Sequence, residues 1–115
     1  MTVTIYHNPR CSKSRQALTL LRDEGVEPQI IEYLKTPPDT ATLEHLLTML
    51  GLEPRELMRK KEKEFKENDL GNPDLSRDAL IAAMIAHPKL IERPIVVKDD
   101  KAALGRPPES VLDIL

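Results

Sequence analysis

The stretch 6–15 constrains the fold of this chain more than any other. A run of β-prone residues, Val3–Tyr6, leads into it, and a helix-prone run, 15–22, leads out of it. Ser12 or Ser14 can cap the start of that helix. The sequence therefore predicts a strand, a short loop and a helix, with the only cysteine of the chain in the loop.

That cysteine, Cys11, lies near the first turn of the predicted helix. Backbone N–H groups and the positive end of the helix macrodipole stabilise a thiolate there, and the same N–H groups can hold an oxyanion. Neighbouring side chains add positive charge and favour the nucleophilic, ionised sulfur. They are His7 (when protonated), Arg10, Lys13 and Arg15. The residues leave three interpretations open: attack on a small oxyanion, thiol exchange, or a small buried hydrophobe.

The order of predicted elements indicates the fold. A second strand, Gln29–Leu34, completes a β-α-β unit, whose strands should be parallel with a right-handed crossover. Amphipathic helices fill residues 39–88. Two further strands, Ile95–Val97 and Ala102–Leu104, form a hairpin before a last helix over Glu109–Leu115. Without the middle helices this is β-α-β-β-α: an α/β, thioredoxin-like core with a mixed four-stranded sheet and a helical insertion between strands two and three.

Length and charge narrow the class of protein. The 115 residues fit one domain, 1–115, and the net charge of −2 is spread over interspersed acids and bases. No long basic tract, secretory leader or membrane-spanning apolar run appears. We therefore expect a cytoplasmic protein without nucleic-acid or membrane partners. His45, His87 and Cys11 lack the spacing of metal ligands, so we expect no metal site.

Four motifs stand in a fixed order along the chain. They are His7-Asn8-Pro9-Arg10-Cys11, Leu57-Met58-Arg59-Lys60, Glu92-Arg93-Pro94-Ile95-Val96-Val97 and Gly105-Arg106-Pro107. Together they resemble the glutaredoxin-linked arsenate reductases, of the enterobacterial plasmid type and its shorter chromosomal relatives. The resemblance covers essentially the whole chain. It departs from the plasmid type at Arg10, where those enzymes have a small residue, and at Leu115, where they continue.

The resemblance implies a role for each of six residues. Cys11 would be the catalytic nucleophile, and His7 would help to keep it ionised. Pro94 would be the cis-proline that thioredoxin folds place beside the active cysteine. Three arginines would bind the oxyanion: Arg59, Arg93 and Arg106.

The implied activity is reduction of arsenate to arsenite through a Cys11 thiolate–arsenic adduct. Because the chain has one cysteine, an external thiol must complete the reduction. The resemblance implies glutathione and then glutaredoxin, with no bound cofactor. Two alternatives stay open: a monothiol glutaredoxin-like exchange protein, for which three arginines would be excessive, and a non-enzymatic regulator that binds RNA polymerase, in which Ser14 would replace a second redox cysteine.

Overall fold

The computed structural model describes residues 2–115. The chain forms two compact units, each described here by itself. The first runs to Thr36 and resumes over Arg93–Leu115, and the second is Pro37–Glu92. The helical insertion predicted at about 39–88 falls within the second unit. That residues 1–115 act as one domain stays a prediction.

The first unit is built on a mixed four-stranded sheet. Its strands stand in the order β2-β1-β3-β4, with β1 parallel to β2 and antiparallel to β3, and β3 antiparallel to β4. The predicted α/β, thioredoxin-like fold is therefore confirmed. The elements are β1 (Val3–Tyr6), α1 (Ser12–Asp23), β2 (Gln29–Ile31), β3 (Ile95–Lys98), β4 (Lys101–Leu104) and a 3₁₀ helix (Pro108–Ile114).

Alternation along β1 creates the core of this unit. Because side chains of a strand point alternately to its two faces, Val3 and Ile5 turn to the same side and are buried. Ile5 is paired in register with Val96 of β3. The apolar side of α1 packs on that face with Ala17 and Leu21, and Val111 closes the cluster. The central strand thus carries the core and ends at the loop that holds Cys11.

Two predicted boundaries in this unit are wrong. β2 stops at Ile31 rather than Leu34, because the chain turns there: Lys35 N–H donates to Glu32 O at 2.9 Å, and Tyr33 is buried. The last element is a 3₁₀ helix, not an α-helix. It buries Val111 and leaves Leu115 37% exposed.

The second unit is helical, and its caps follow the sequence. α2 (Thr40–Leu50) begins where Asp39 accepts the N–H of Thr42 at 2.8 Å, and it ends at Gly51 with φ of 68°. Ser76 likewise accepts the N–H of Ala79 at the start of α4 (Arg77–Ala86).

Between these helices lie a 3₁₀ turn, Pro54–Leu57, and the short α3, Lys63–Glu67. No residue of α3 is buried, as its charged sequence indicates. The core of the second unit comes from the apolar stripes of α2 and α4, which are Leu43, Leu46, Leu47, Leu80, Ile81 and Met84. Within residues 2–115 no helix is both long and apolar enough to cross a bilayer.

Candidate active site

Cys11 occupies the junction between β1 and α1. Its backbone is extended, with φ of −95° and ψ of 123°, and it is the N-cap residue of α1. The prediction that Ser12 or Ser14 caps the helix is therefore wrong. The Cys11 N–H donates to Asn8 O at 3.0 Å, and the Arg15 N–H donates to Cys11 O at the same distance. The sulfur is thus held at the end of the helix whose N–H groups are unpaired.

Ser14 ties the loop to the helix. Its side chain is fully buried, and its Oγ accepts the N–H of Asn8 at 3.0 Å. A second hydrogen bond joins the same Oγ to Nδ1 of His7 at 2.6 Å. The sequence indicates a role for Ser14 as a helix cap or in place of a second redox cysteine, but not its role as a partner of His7. The signal that could have found this one is its spacing of three residues from Cys11, which turns both toward the strand end.

Several groups compete to set the pKa of the Cys11 thiol. Burial raises it. The Ser14 N–H, the charge of Arg93, a hydrogen bond from Arg93 and the Lys13 N–H lower it, and together they prevail, so the pKa lies below its ordinary value. The predicted thiolate is therefore favoured, but the side-chain charge that lowers the pKa of the thiol is that of Arg93. The side-chain charges of Arg10, Lys13 and Arg15 are not among the causes.

His7 is buried, and this burial is the largest influence on its ring. Desolvation lowers the pKa of His7; Glu32 opposes that change, and Arg22 and Arg15 add to it. The neutral imidazole is thus favoured. Its Nδ1 is bonded to Ser14 rather than to the sulfur. His7 is therefore not expected to stabilise the Cys11 thiolate by its own positive charge. Its contact in this loop is the hydrogen bond to Ser14, whose backbone N–H lowers the pKa of the Cys11 thiol.

Two of the three predicted oxyanion arginines meet at the sulfur. Nη2 of Arg106 lies 3.9 Å from Cys11 Sγ. Arg93 also acts on this sulfur, because its charge and a side-chain hydrogen bond both lower the pKa of the Cys11 thiol. The two arginines also hold each other, because Nε of Arg106 donates to the backbone oxygen of Arg93 at 2.9 Å. Residues far apart in sequence thus surround Cys11 with positive charge.

Pro94 and Gly105 bring those arginines together. The Arg93–Pro94 bond is cis, the isomer that the resemblance implies, and the Arg106–Pro107 bond is cis as well. Gly105 N–H donates to Pro94 O at 2.8 Å. A Cβ on Gly105 would lie 2.6 Å from Pro94 Cγ, so only glycine fits without displacement. Gly105 is part of a sequence motif, but its packing against Pro94 could be recognised only from the folded structure.

The third arginine, Arg59, lies in the second unit and has acidic partners there. Its Nη1 is 2.6 Å from Glu62 Oε1, and its Nε is 3.8 Å from Glu92 Oε1. Its backbone N–H donates to Leu90 O at 2.7 Å. That Arg59 binds the oxyanion stays a prediction.

The cationic loop residues have separate surroundings. Arg15 donates from Nη1 to Pro9 O at 2.9 Å and so braces the loop backbone. Arg10 is exposed, and its backbone N–H donates to Asn8 Oδ1 at 3.0 Å. Within residues 2–115, no group of three or more His, Cys, Asp or Glu side chains is placed to hold a metal ion.

This arrangement supports a defined chemistry. A thiol with a lowered pKa is a nucleophile at neutral pH, and two guanidinium groups beside it suit a planar or tetrahedral oxyanion. The helix N-terminus supplies further donors for that anion. The site is therefore fit for sulfur attack on the central atom of a small oxyanion.

Comparison with known proteins gives one family match and similar relatives that span nearly the whole chain. The ArsC family pattern matches residues 6–114. The chain is 59% identical over 114 residues to the uncharacterized protein YfgD of Escherichia coli K12, covering 98% of this chain and 96% of that protein. It is 48% identical over 114 residues to a protein named arsenate reductase from Neisseria meningitidis serogroup A, covering 98% and 97%.

The fold agrees with a solved structure titled arsenate reductase from Vibrio cholerae. That structure matches with a TM-score of 0.97 and 58% sequence identity, and the match covers 100% of this chain and 98% of the other.

Proposed function

This chain belongs to the ArsC family, and we propose that it reduces arsenate to arsenite by attack of the Cys11 thiolate on arsenic. The relatives from Neisseria meningitidis and Vibrio cholerae carry the name arsenate reductase. The observation that carries the proposal is the approach of Arg106 Nη2 to 3.9 Å from the Cys11 sulfur, together with the effect of Arg93, which lowers the pKa of the same thiol. A thiol exchanger of neutral disulfides has no need of that paired positive charge.

The first step forms a bond between the Cys11 sulfur and arsenic. One arsenate oxygen leaves as hydroxide and takes a proton from solvent. Arg93 and Arg106 offset the charge of the remaining oxygens and align them through forked hydrogen bonds. N–H groups at the start of α1 add donors without reorganisation. Arg59 completes the proposed oxyanion set, and His7 acts on Cys11 through Ser14.

The second half of the reaction requires a reductant from outside the chain. Cys11 is the only cysteine, so no internal disulfide can form. We assign this role to glutathione and then to glutaredoxin, as the family resemblance implies. The proposed location is the cytoplasm, where such thiols stay reduced.

Arsenite production tests the proposal. Purified protein, arsenate, glutathione and glutaredoxin should yield arsenite at a rate proportional to the protein, and Cys11→Ser should abolish it because an alcohol is a poor nucleophile at neutral pH. The control is exchange with a neutral disulfide, measured on the same preparation. Disulfide exchange without arsenite production would contradict the proposal and favour the glutaredoxin-like alternative.

A further inference from the structure

The first unit contains a pocket at the end of its sheet opposite the Cys11 loop. Its volume is about 600 Å³, and its walls are residues 2–3, residues 25–29, Lys98 and Leu115. Small-molecule sites have volumes of about 300–1,000 Å³. Val3 begins β1, whose other end leads to the Cys11 loop, so a ligand in this pocket lies apart from the reactive sulfur.

Much of the wall of this pocket is apolar. Val3 is buried in the core cluster of the unit, and Val26 packs against that cluster. Pro28 is also buried, whereas Leu115 is 37% exposed. Because removing apolar surface from water is favourable, these residues suit the apolar body of a ligand that covers Leu115.

Lys98 adds a positive charge to this apolar wall. It pairs in register with Val3, and residues directly opposite each other in neighbouring strands share one face of the sheet. Its half-buried aliphatic stem therefore lies on the core side, toward the pocket that it lines. Lys101 is its partner across β3 and β4, so a second ammonium stands on the same face. Among residues 2–115, no carboxylate forms an ion pair with either lysine.

The negative groups near the pocket already have partners. Glu27, the acidic residue of the wall, accepts hydrogen bonds from Nε of Arg22 at 2.9 and 3.3 Å. At the end of α1, the N–H of Gly25 donates to Arg22 O at 3.0 Å, and that of Val26 donates to Leu21 O at 2.9 Å. These bonds occupy carbonyl oxygens at the negative end of the helix macrodipole. The wall therefore favours an anionic ligand group over a cationic one.

We propose that this pocket binds a small molecule with an apolar body and a single carboxylate. The body covers Val26 and Leu115, and the carboxylate accepts a charge-assisted hydrogen bond from Nζ of Lys98. The Gln29 amide and the Thr2 hydroxyl also belong to residues of the wall and are donors that suit a carboxylate. A neutral ligand leaves the charge of Lys98 unmatched, and a cationic ligand is repelled by it. The site is independent of Cys11 and of the proposed reduction of arsenate.

Three probes of equal chain length test this assignment: octanoate, octanol and octylammonium. Each is titrated into the full chain and followed by heteronuclear NMR, which locates the bound probe and gives its Kd. We expect octanoate to shift the amide signals of Val3, Val26 and Lys98. It should bind about tenfold more tightly than octanol, because only the carboxylate pairs with the lysine. Octylammonium should bind more weakly than octanol.

Substitutions of Lys98 test the role of its charge. Lys98→Met retains the aliphatic stem, so it should weaken octanoate binding about tenfold and change octanol binding less than about twofold. Lys98→Glu should reverse the preference, so that octylammonium binds more tightly than octanoate. Lys35→Met is the matched control, because Lys35 is an exposed lysine of the same unit that lies beside residues 7–10. It should leave all three affinities unchanged.

Four results would overturn the proposal. Octanoate could fail to bind, bind no more tightly than octylammonium, or produce its largest shifts at residues 10–15 of the Cys11 loop. Lys98→Met and Lys35→Met could also lose the same affinity for octanoate. Arsenite production by Lys98→Met should equal that of the unaltered protein, so failure of this site and failure of the proposed function are observed separately.

Discussion

Arginines that the same resemblance assigns to one task have opposite surroundings in the two units. In the first unit, Arg106 approaches the Cys11 sulfur and Arg93 lowers the pKa of its thiol. In the second unit, Arg59 lies against two carboxylates, those of Glu62 and Glu92. In the first unit, two positive side chains therefore share one negative sulfur. In the second unit, one positive side chain is shared by two carboxylates.

The difference shows how charge becomes available to a ligand. Two guanidinium groups beside one thiolate leave an excess positive charge at the site, whereas the charge of one guanidinium beside two carboxylates is already offset. The residue type and the role that the resemblance assigns are the same in both units, but the partners of the arginines differ. We therefore expect the arginines of the first unit to contribute more to anion binding than Arg59.

Removing either arginine of the first unit should have the largest effect. Arg93→Ala or Arg106→Ala should lower kcat/KM for arsenate by about 10- to 100-fold, because each loses a charge-assisted hydrogen bond to the anion. Lysine at the same position keeps the charge but loses the fork, so it should restore activity only in part. Steady-state kinetics at fixed glutathione measure this, with exchange of a neutral disulfide as the control. Unchanged arsenate kinetics in both alanine variants would falsify the role of this pair.

Packing around Gly105 provides the next test. Gly105→Ala places a Cβ 2.6 Å from Pro94 Cγ and 3.3 Å from Val111 Cγ1, so the chain that carries Arg106 must shift. We expect a loss of about 1–3 kcal/mol in the free energy of unfolding, with lower arsenate turnover. Urea denaturation measures the first quantity.

Gly71→Ala in the second unit is the matched control for that variant. There the nearest atom to a new Cβ is Phe65 Cε1 at 3.6 Å, an ordinary contact. Its stability should change far less. Equal losses in the two variants would mean that the contact with Pro94 is not special.

Replacing Arg59 should lower arsenate turnover less than replacing Arg93 or Arg106, and this difference tests the comparison between the two units. Arg59→Ala should lower kcat/KM for arsenate only about three- to fivefold, because its charge is already offset. Glu62→Gln removes part of that offset and should lower KM for arsenate about twofold. Glu44→Gln, which alters a similar pair with Arg77, should change nothing. A loss in Arg59→Ala as large as that in Arg106→Ala would break the comparison.

The smallest predicted effect concerns acid stability and His7. Burial lowers the pKa of His7 from its ordinary value of 6.5, so the unfolded chain binds the proton more readily than the folded one. Stability should therefore be complete above about pH 6.5 and decline as the pH falls toward the folded pKa. Denaturation at several pH values should show a weaker decline in His7→Gln, and no such change in a variant of the exposed His45. A decline that is identical in His7→Gln would show that another group is responsible.

Much of the fold could be predicted because its signals are local. A run of β-prone residues predicted β1, and Asp39 and Ser76, which are residue types typical of N-caps, stand directly before α2 and α4. The early end of β2 at Ile31 could not be predicted, because the buried Tyr33 and a turn override β propensity there.

Some features of the candidate site could likewise be predicted from sequence order, and others depend on tertiary contacts. Cys11 at a helix N-terminus followed from sequence order. The bond between His7 and Ser14 and the pairing of Arg59 with Glu62 did not, because both depend on which side chains meet after folding. The resemblance assigned a role to three arginines and could not indicate their partners.

The first unit is assembled from both ends of the chain, and this has a consequence for biosynthesis. Cys11 and its loop leave the ribosome early, but β3, Arg93 and Arg106 follow only after the whole second unit has been made. At about 5–20 residues per second, roughly 5–19 seconds pass between the synthesis of Cys11 and that of Arg106, the second of the two arginines. β1 must then close a loop of dozens of residues to pair with β3, which is slow and entropically costly. A nascent chain that stops before Arg93 therefore carries a cysteine whose pKa lacks the lowering effect of Arg93.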